Sequence, residues 1–294
     1  MSLEITIASG KGGTGKTTVS SFLISYLSGV EKRVIGVDAD VEAPDLVIAL
    51  GRHTEIHREE VFDSEIAVIN YDRCISCGTC ASICRYGAIE IKNGKPVITP
   101  ELCEGCGVCG YVCPTKAIDI KKTKTGDMII YDTKFGKVVT GELEIGRKHS
   151  GKLVDMLRMK ARSIVGGGYI VIDAAAGIGC PVISSIVGVD YLVIVVEPTP
   201  QSMLTASKIY EIGKIFNVPM GLIVNKYDLN REFVDEIRRF SEERKVDFLG
   251  TVPYDRSIVE AYVNIRSLIE YAPSSPATKN LKEIAERLLG RVKG

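Results

Sequence analysis

One run near the N-terminus, Gly10-Lys11-Gly12-Gly13-Thr14-Gly15-Lys16-Thr17, limits what this chain can fold into more than any other feature. It follows an apolar strand pattern, Leu3-Glu4-Ile5-Thr6-Ile7-Ala8, and opens a helical pattern that reaches about Leu27. Strand, glycine-rich turn and helix in that order make a phosphate cradle. The glycines let backbone N–H groups wrap a phosphate, and the helix N-terminus adds its positive dipole end. Gly10, Gly12, Gly13, Thr14, Gly15 and Thr18 are the expected cradle. Lys16 is expected at the β- and γ-phosphates, and the Thr17 hydroxyl on Mg²⁺.

The remaining pattern extends that start into a sheet. A second strand reads Arg33–Asp38, and apolar runs recur at Tyr169–Asp173, Tyr191–Val196, Met220–Asn225 and Phe248–Val252. Helical patterns separate them, over about Ser150–Ser163, Pro181–Val187, Gln201–Phe216, Asn230–Arg244 and Arg256–Val263. Such alternation implies βαβ units and an α/β fold with a mostly parallel sheet. Lys+Arg and Asp+Glu both number 37, so the formal net charge is zero. A polyanionic nucleic acid is therefore not the expected partner. No apolar run approaches the roughly 18 residues that cross a bilayer, and no basic-then-apolar leader precedes the first strand. Stable membrane insertion is not expected, and a cytoplasmic location is.

Eight of the nine cysteines crowd between Cys74 and Cys113. Cys74, Cys77, Cys80 and Cys84 have the spacing C-x-x-C-x-x-C-x-x-x-C, and Cys103, Cys106, Cys109 and Cys113 repeat it. Three thiolates of such a run reach three corners of a cubane, and in two-cluster ferredoxins the fourth ligand comes from the other half. The expected sets are therefore Cys74, Cys77, Cys80 and Cys113 for one 4Fe–4S cluster, and Cys103, Cys106, Cys109 and Cys84 for the other. Paired C-x-x-C motifs also bind zinc, but two complete four-cysteine runs favour clusters. Gly78, Gly105 and Gly107 are expected to keep side chains away from the sulfurs. Arg85 stands where a proline usually follows the first run. Residues 61–122 thus read as an inserted small α+β domain of the bacterial two-cluster ferredoxin type, and 1–60 with 123–294 as a discontinuous nucleotide domain.

A lysine directly after the first glycine, Lys11, resembles the deviant Walker A motif of the MinD/ParA superfamily of P-loop ATPases. That group also holds Mrp-type iron–sulfur carriers and the nitrogenase iron protein. The resemblance implies that Lys11 acts in trans, on the nucleotide of a second subunit, so that ATP joins a homodimer. Asp38-Ala39-Asp40 resembles switch I, which implies that Asp40 positions the attacking water and Asp38 lies nearer the metal. Asp173-Ala174-Ala175-Ala176-Gly177 resembles switch II, with Asp173 on a Mg²⁺-bound water and alanines where many relatives carry proline. Asn225-Lys226 and Pro253-Tyr254-Asp255 resemble adenine-side elements, with Asn225 and Pro253 as the contacts. Asp228 resembles part of a guanine-reading motif, but the wider match favours ATP. A P-loop ATPase interrupted by a ferredoxin is similar to MinD-superfamily members with such an insert.

Cys180 lies at an offset from Asp173 similar to that of a cluster-holding cysteine in the nitrogenase iron protein. The favoured reading is a small packed residue opening a helix, ahead of a functional thiol. The C-terminal segment places Leu281, Ile284, Ala285, Leu288, Leu289 and Val292 on one helical face, and packing on the sheet is favoured over the membrane contact that MinD proteins make. His53, His57 and His149 have no ligand spacing. The leading expectation is an ATP-binding and ATP-hydrolysing dimer that couples nucleotide to electron transfer through two 4Fe–4S clusters, with Ser150-Gly151-Lys152 as a candidate coupling segment and a redox protein as partner. The alternative is iron–sulfur assembly or delivery to a client protein. Spatial positioning of the ParA/MinD kind ranks third.

Overall fold

The computed structural model describes residues 2–30, 32–146 and 150–292; His149 and Lys293 lie outside them. In chain order the elements are β1 (Ser2–Ser9), α1 (Lys16–Gly29), β2 (Val34–Asp38), α2 (Leu46–Leu50) and β3 (His53–Val61). Next come β4 (Ser64–Ile69), α3 (Thr79–Ile83), β5 (Ile89–Lys92), β6 (Lys95–Ile98), α4 (Val108–Tyr111) and β7 (Ile118–Thr123). Then follow β8 (Gly126–Thr133), β9 (Gly136–Leu143), α5 (Ser150–Val165), β10 (Gly168–Ala176), α6 (Cys180–Ile186), β11 (Tyr191–Val196) and α7 (Pro200–Ile215). The chain closes with β12 (Met220–Asn225), α8 (Arg231–Glu243), β13 (Asp247–Val252), α9 (Arg256–Val263), α10 (Leu268–Tyr271) and α11 (Pro276–Val292).

These elements form two compact units. The first takes Met1–Glu59, Met128–Glu142 and Ser150–Gly294, and the second Glu60–Asp127 with Leu143–His149. In the first unit the sheet order is β13-β12-β11-β1-β10-β2-β9-β8-β3. Pairing from β13 through β9 is parallel throughout. The central strands are apolar on both faces, as a sheet covered by helices on each side requires. Ile5, Ile7, Val171, Val193 and Val195 pack with Phe22, Leu23 and Leu27 of α1. Leu281, Ile284, Ala285 and Leu288 of α11 are buried in the same core, so the apolar face of the C-terminal helix is spent on the sheet. Among the described residues no helix is long and apolar enough to cross a membrane.

The nine-stranded sheet holds the expected strands β1, β2 and β10 to β13, and adds β3, β8 and β9. β3 reads His-Thr-Glu-Ile-His-Arg-Glu-Glu-Val and is almost wholly exposed. Its charges suit the edge of a sheet, where they discourage pairing with another chain. They also erase the apolar alternation by which a strand is recognised.

The second unit repeats itself at an offset of 29 residues, from Cys74 to Cys103. Ser76 and Gly105 both have positive φ (56° and 63°), Gly78 and Gly107 cap α3 and α4 at φ 76°, and Gly87 and Lys116 match at 63° and 50°. Its small core is likewise paired, Cys80 with Cys109 and Ile89 with Ile118, around Ala67. Gly78, Gly105 and Gly107 all stand in left-handed backbone, which favours glycine. A Cβ on Gly78 would meet nothing within 4 Å, one on Gly107 only Ile120, and one on Gly105 would strike the Glu65 carbonyl at 2.5 Å.

Candidate functional site

No side chain caps α1. Gly15 stands at its N-cap in left-handed backbone (φ 96°), and no acidic residue occupies the first turn. Thr199, Asn230 and Asp255, by contrast, cap α7, α8 and α9 with their side chains. The first N–H groups of α1 therefore keep their positive end for an outside acceptor. Two glycines of the loop are sterically required. A Cβ on Gly15 would lie 2.2 Å from Asn225 Nδ2, and one on Gly10 would lie 2.1 Å from Thr205 Cβ.

A cleft of about 480 Å³ lies against this loop. Gly12, Gly13, Gly15, Lys16, Thr17 and Thr18 line it, together with Asp40, Asn225 and Pro253. The volume is that of an ordinary small-ligand site. Gly10, Lys11, Thr14, Asp38 and Asp173 are not part of the lining. Thr14 is buried with its hydroxyl unpartnered.

The three carboxylates expected from the sequence, Asp173, Asp38 and Asp40, stand in different settings. Asp173, at the end of β10, is buried and accepts the Ser20 hydroxyl at 2.8 Å. Burial pushes its carboxyl up to about 6, although the Lys16 charge and the Thr17 and Ser20 hydroxyls pull the other way. Asp38, at the end of β2, is also buried and is held well above the usual carboxylate range by burial and by the charge of Asp173. Its oxygens accept the N–H groups of Asp40 (3.1 Å), Asp45 (2.9 Å) and Leu46 (2.9 Å), so it shapes the loop into α2. Asp40 is half-buried, and burial raises its carboxyl against the pull of Lys16. The side chain that receives the Thr17 hydroxyl is Asp45, at 3.1 Å. Asp45 escaped the sequence reading because only the loop geometry imposed by Asp38 brings it there.

Asn225 lies under the loop. Its Nδ2 donates to the Thr14 carbonyl at 2.8 Å, and its Oδ1 accepts the Lys226 N–H at 3.0 Å. Lys226 reaches over the loop, with Nζ on the Gly13 carbonyl (3.0 Å) and on Glu197 Oε1 (2.7 Å). Lys11 Nζ meets Glu197 Oε2 at 2.7 Å. Glu197 was also missed, although it follows β11 directly, at the carboxyl end of a strand beside β1, where open α/β sheets bind their ligands. The Asp228 carboxylate accepts the Tyr254 N–H at 2.7 Å, which ties it to the backbone of the loop after β13.

In the second unit the cysteines separate into two groups. Cys74, Cys77, Cys80 and Cys113 line a narrow space of about 20 Å³. Cys84, Cys103, Cys106 and Cys109 line a wider one of about 320 Å³, together with Arg85. Each group draws three residues from one repeat and one from the other. Several sulfurs already accept or share hydrogen bonds: Cys113 from Ala117 N–H (3.2 Å), Cys103 from Ala67 N–H (3.4 Å) and Cys77 with the Thr79 hydroxyl (3.4 Å). The Thr79 hydroxyl holds the Cys77 thiol below its ordinary pKa, and the Ala117 N–H does the same for Cys113, whereas burial raises Cys80 and Cys109. Among the described residues no three or more ligating side chains converge on a single-ion site. Cys180 is exposed at the first turn of α6.

A family model described as the CobQ/CobB/MinD/ParA nucleotide binding domain matches residues 5–268. The chain belongs to this family. As a member of the CobQ/CobB/MinD/ParA family it carries the α/β P-loop ATPase fold with a mostly parallel sheet. It is similar to an uncharacterized protein of Methanocaldococcus jannaschii, 32% identical over 287 residues that cover 97% of this chain and 96% of the relative. It is also similar to an iron–sulfur cluster carrier protein of that organism, 24% identical over 306 residues that cover 99% and 85% of the two chains. The fold is shared with the septum site-determining protein MinD of Pyrococcus horikoshii, complexed with Mg-ADP, at a TM-score of 0.62 and 19% identity over 100% of this chain and 99% of that one.

Proposed function

We propose that this chain is an ATP-hydrolysing iron–sulfur protein in which a nucleotide-dependent homodimer couples ATP to electron transfer through two 4Fe–4S clusters. The observation that carries this reading is the sorting of eight cysteines into two sets of four, each completed across the repeat, in one chain with a nucleotide cleft. The donor set fits the group. Cubane clusters take four thiolates, and each of the two sets supplies four cysteines. N–H donors already directed at Cys103 and Cys113 suit thiolates that share charge with a cluster. Bound there, the clusters would supply one-electron transfer. Residues 61–122 then act as a ferredoxin-like insert, and 1–60 with 123–294 as the ATPase.

At the nucleotide site, Lys16 and the free N–H groups of α1 would neutralise the phosphates, and Thr17 and Asp173 are the residues that would hold Mg²⁺, which would supply further charge to the phosphates. Asp38 supports them from beneath by fixing the Asp40–Leu46 loop. Asp40, on the cleft wall, orients the attacking water, and Lys11 reaches the partner subunit's nucleotide.

A second reading, cluster assembly or delivery to a client protein, draws on the similarity to an iron–sulfur carrier and on the exposure of Cys180. The deciding experiment is an EPR-monitored redox titration of anaerobically purified protein, with MgADP and then with a non-hydrolysable ATP analogue. A nucleotide-dependent change in potential or line shape supports coupling. Clusters that leave the protein for an apo-acceptor on ATP addition support delivery. Absence of any cluster signal after anaerobic reconstitution removes both.

A further inference from the structure

Glu197 has no part in the nucleotide chemistry above, yet it is firmly anchored beside the phosphate loop. β11 lies against β1, so the end of one strand stands next to the loop that leaves the other. The Glu197 N–H donates to Ser202 Oγ at 3.0 Å, and its carbonyl accepts the Thr199 N–H at 2.7 Å. Thr199 in turn caps α7 through the Ser202 N–H. Thr205 of the same helix fills the space over Gly10, so the anchor and the loop interlock.

The two lysines held by this carboxylate differ in freedom. Lys226 is held twice, by Glu197 Oε1 and by the Gly13 carbonyl. Among the described residues Glu197 is the one partner of Lys11 Nζ, and the Lys11 side chain is 31% exposed. Lys11 can therefore leave without stranding a bare carboxylate, because Lys226 stays. That matters because an unpaired, largely buried carboxylate is costly.

We propose that Glu197 is a positioning residue that parks Lys11 within its own subunit, and that pairing of two copies requires Lys11 to pass from Glu197 to the partner's nucleotide phosphates. This rests on the dimer reading given above. The exchange is charge for charge, from carboxylate to phosphate, and both are good acceptors for an ammonium group. Parking lowers the pairing-competent fraction of each subunit, and both subunits must release their lysine. A partly exposed ion pair holds by a factor of a few, so two of them weaken pairing roughly tenfold.

The test uses the full chain with Mg²⁺ and a non-hydrolysable ATP analogue, and reads mass by light scattering across protein concentration. Glu197→Gln is expected to lower the pairing midpoint roughly tenfold. Glu197→Asp, which keeps the charge but shortens its reach, lowers it by less and guards against a folding defect in the first variant. A second readout needs no dimer: amine acylation of Lys11 in the nucleotide-free protein, followed by mass spectrometry, speeds up severalfold in Glu197→Gln while exposed Lys208 is unaffected. Wild-type pairing with an unchanged midpoint in both variants overturns the parking proposal and leaves the dimer intact. A wild type that stays monomeric with the analogue at every concentration overturns the dimer reading, and the gating role of Glu197 with it, even if Lys11 acylation rises.

Discussion

Replacing Asn225 by alanine separates two roles for this residue, reading the base and bracing the phosphate loop. The side chain is buried and makes two hydrogen bonds, to the Thr14 carbonyl at 2.8 Å and from the Lys226 N–H at 3.0 Å. Alanine removes both and leaves the Thr14 carbonyl and the Lys226 N–H without this partner. A net contribution of about 1 kcal/mol per bond puts the loss at about 2 kcal/mol. Much of it falls on the loop conformation that binds phosphate, because Thr14 and Gly13 lie within the cradle. Spent on binding, about 2 kcal/mol is about 30-fold in Kd. The assay is calorimetric titration with ADP, GDP and inorganic tripolyphosphate, all with Mg²⁺. A brace weakens all three by the same factor, tripolyphosphate included, since that ligand carries no base. A loss confined to ADP would falsify the bracing argument and make Asn225 a base reader.

Other perturbations probe the remaining sites. Lys16→Ala should abolish nucleotide binding in the same titration while iron and sulfide per chain stay at the wild-type level; loss of iron would show that the two units are not built independently. Cys84→Ser should remove the cluster signal of the Cys103, Cys106 and Cys109 set and spare the other, because the structure places Cys84 with that set; EPR showing damage to the Cys74 set instead would refute the crossed assignment. Glu4 is buried and held by Arg158 (2.7 Å) and Arg162, so Glu4→Ala strands a buried guanidinium and should cost about 3 kcal/mol in denaturant unfolding. Burial works to raise the Glu4 carboxyl, but hydrogen bonds from Arg162 and Arg158 outweigh it and hold it below its ordinary value. Its contribution is thus fully present above the unfolded carboxyl range and is lost as pH falls through the lower folded value. Wild type and Glu4→Ala should therefore converge in stability in acid, and a gap that stays constant from neutral pH into strong acid would contradict the assignment.

What the sequence determined by itself was whatever is contiguous or strictly spaced. The phosphate loop is one unbroken run whose chemistry is written in backbone freedom and two side chains, so strand, loop and helix could be named without knowing their neighbours. The cysteine repeat is equally local: fixed spacing sets which thiols share a loop, and the two runs recur at an offset of 29 residues. The central strands were legible because burial on both faces demands unbroken apolar runs. The tertiary structure decided everything that depends on which strand ends lie side by side. Glu197 meets Lys11 only because β11 lies beside β1, and Asn225 reaches Thr14 only because β12 follows β11 in the sheet. Asp45 meets Thr17 only because the buried Asp38 gathers three backbone N–H groups and folds the loop back. The edge strand β3 belongs here too, since its charged residues carry no apolar period and its pairing with β8 is what makes it a strand. Contacts between residues distant in sequence are fixed by sheet order, and sheet order is a property of the whole packed core, not of any segment within it.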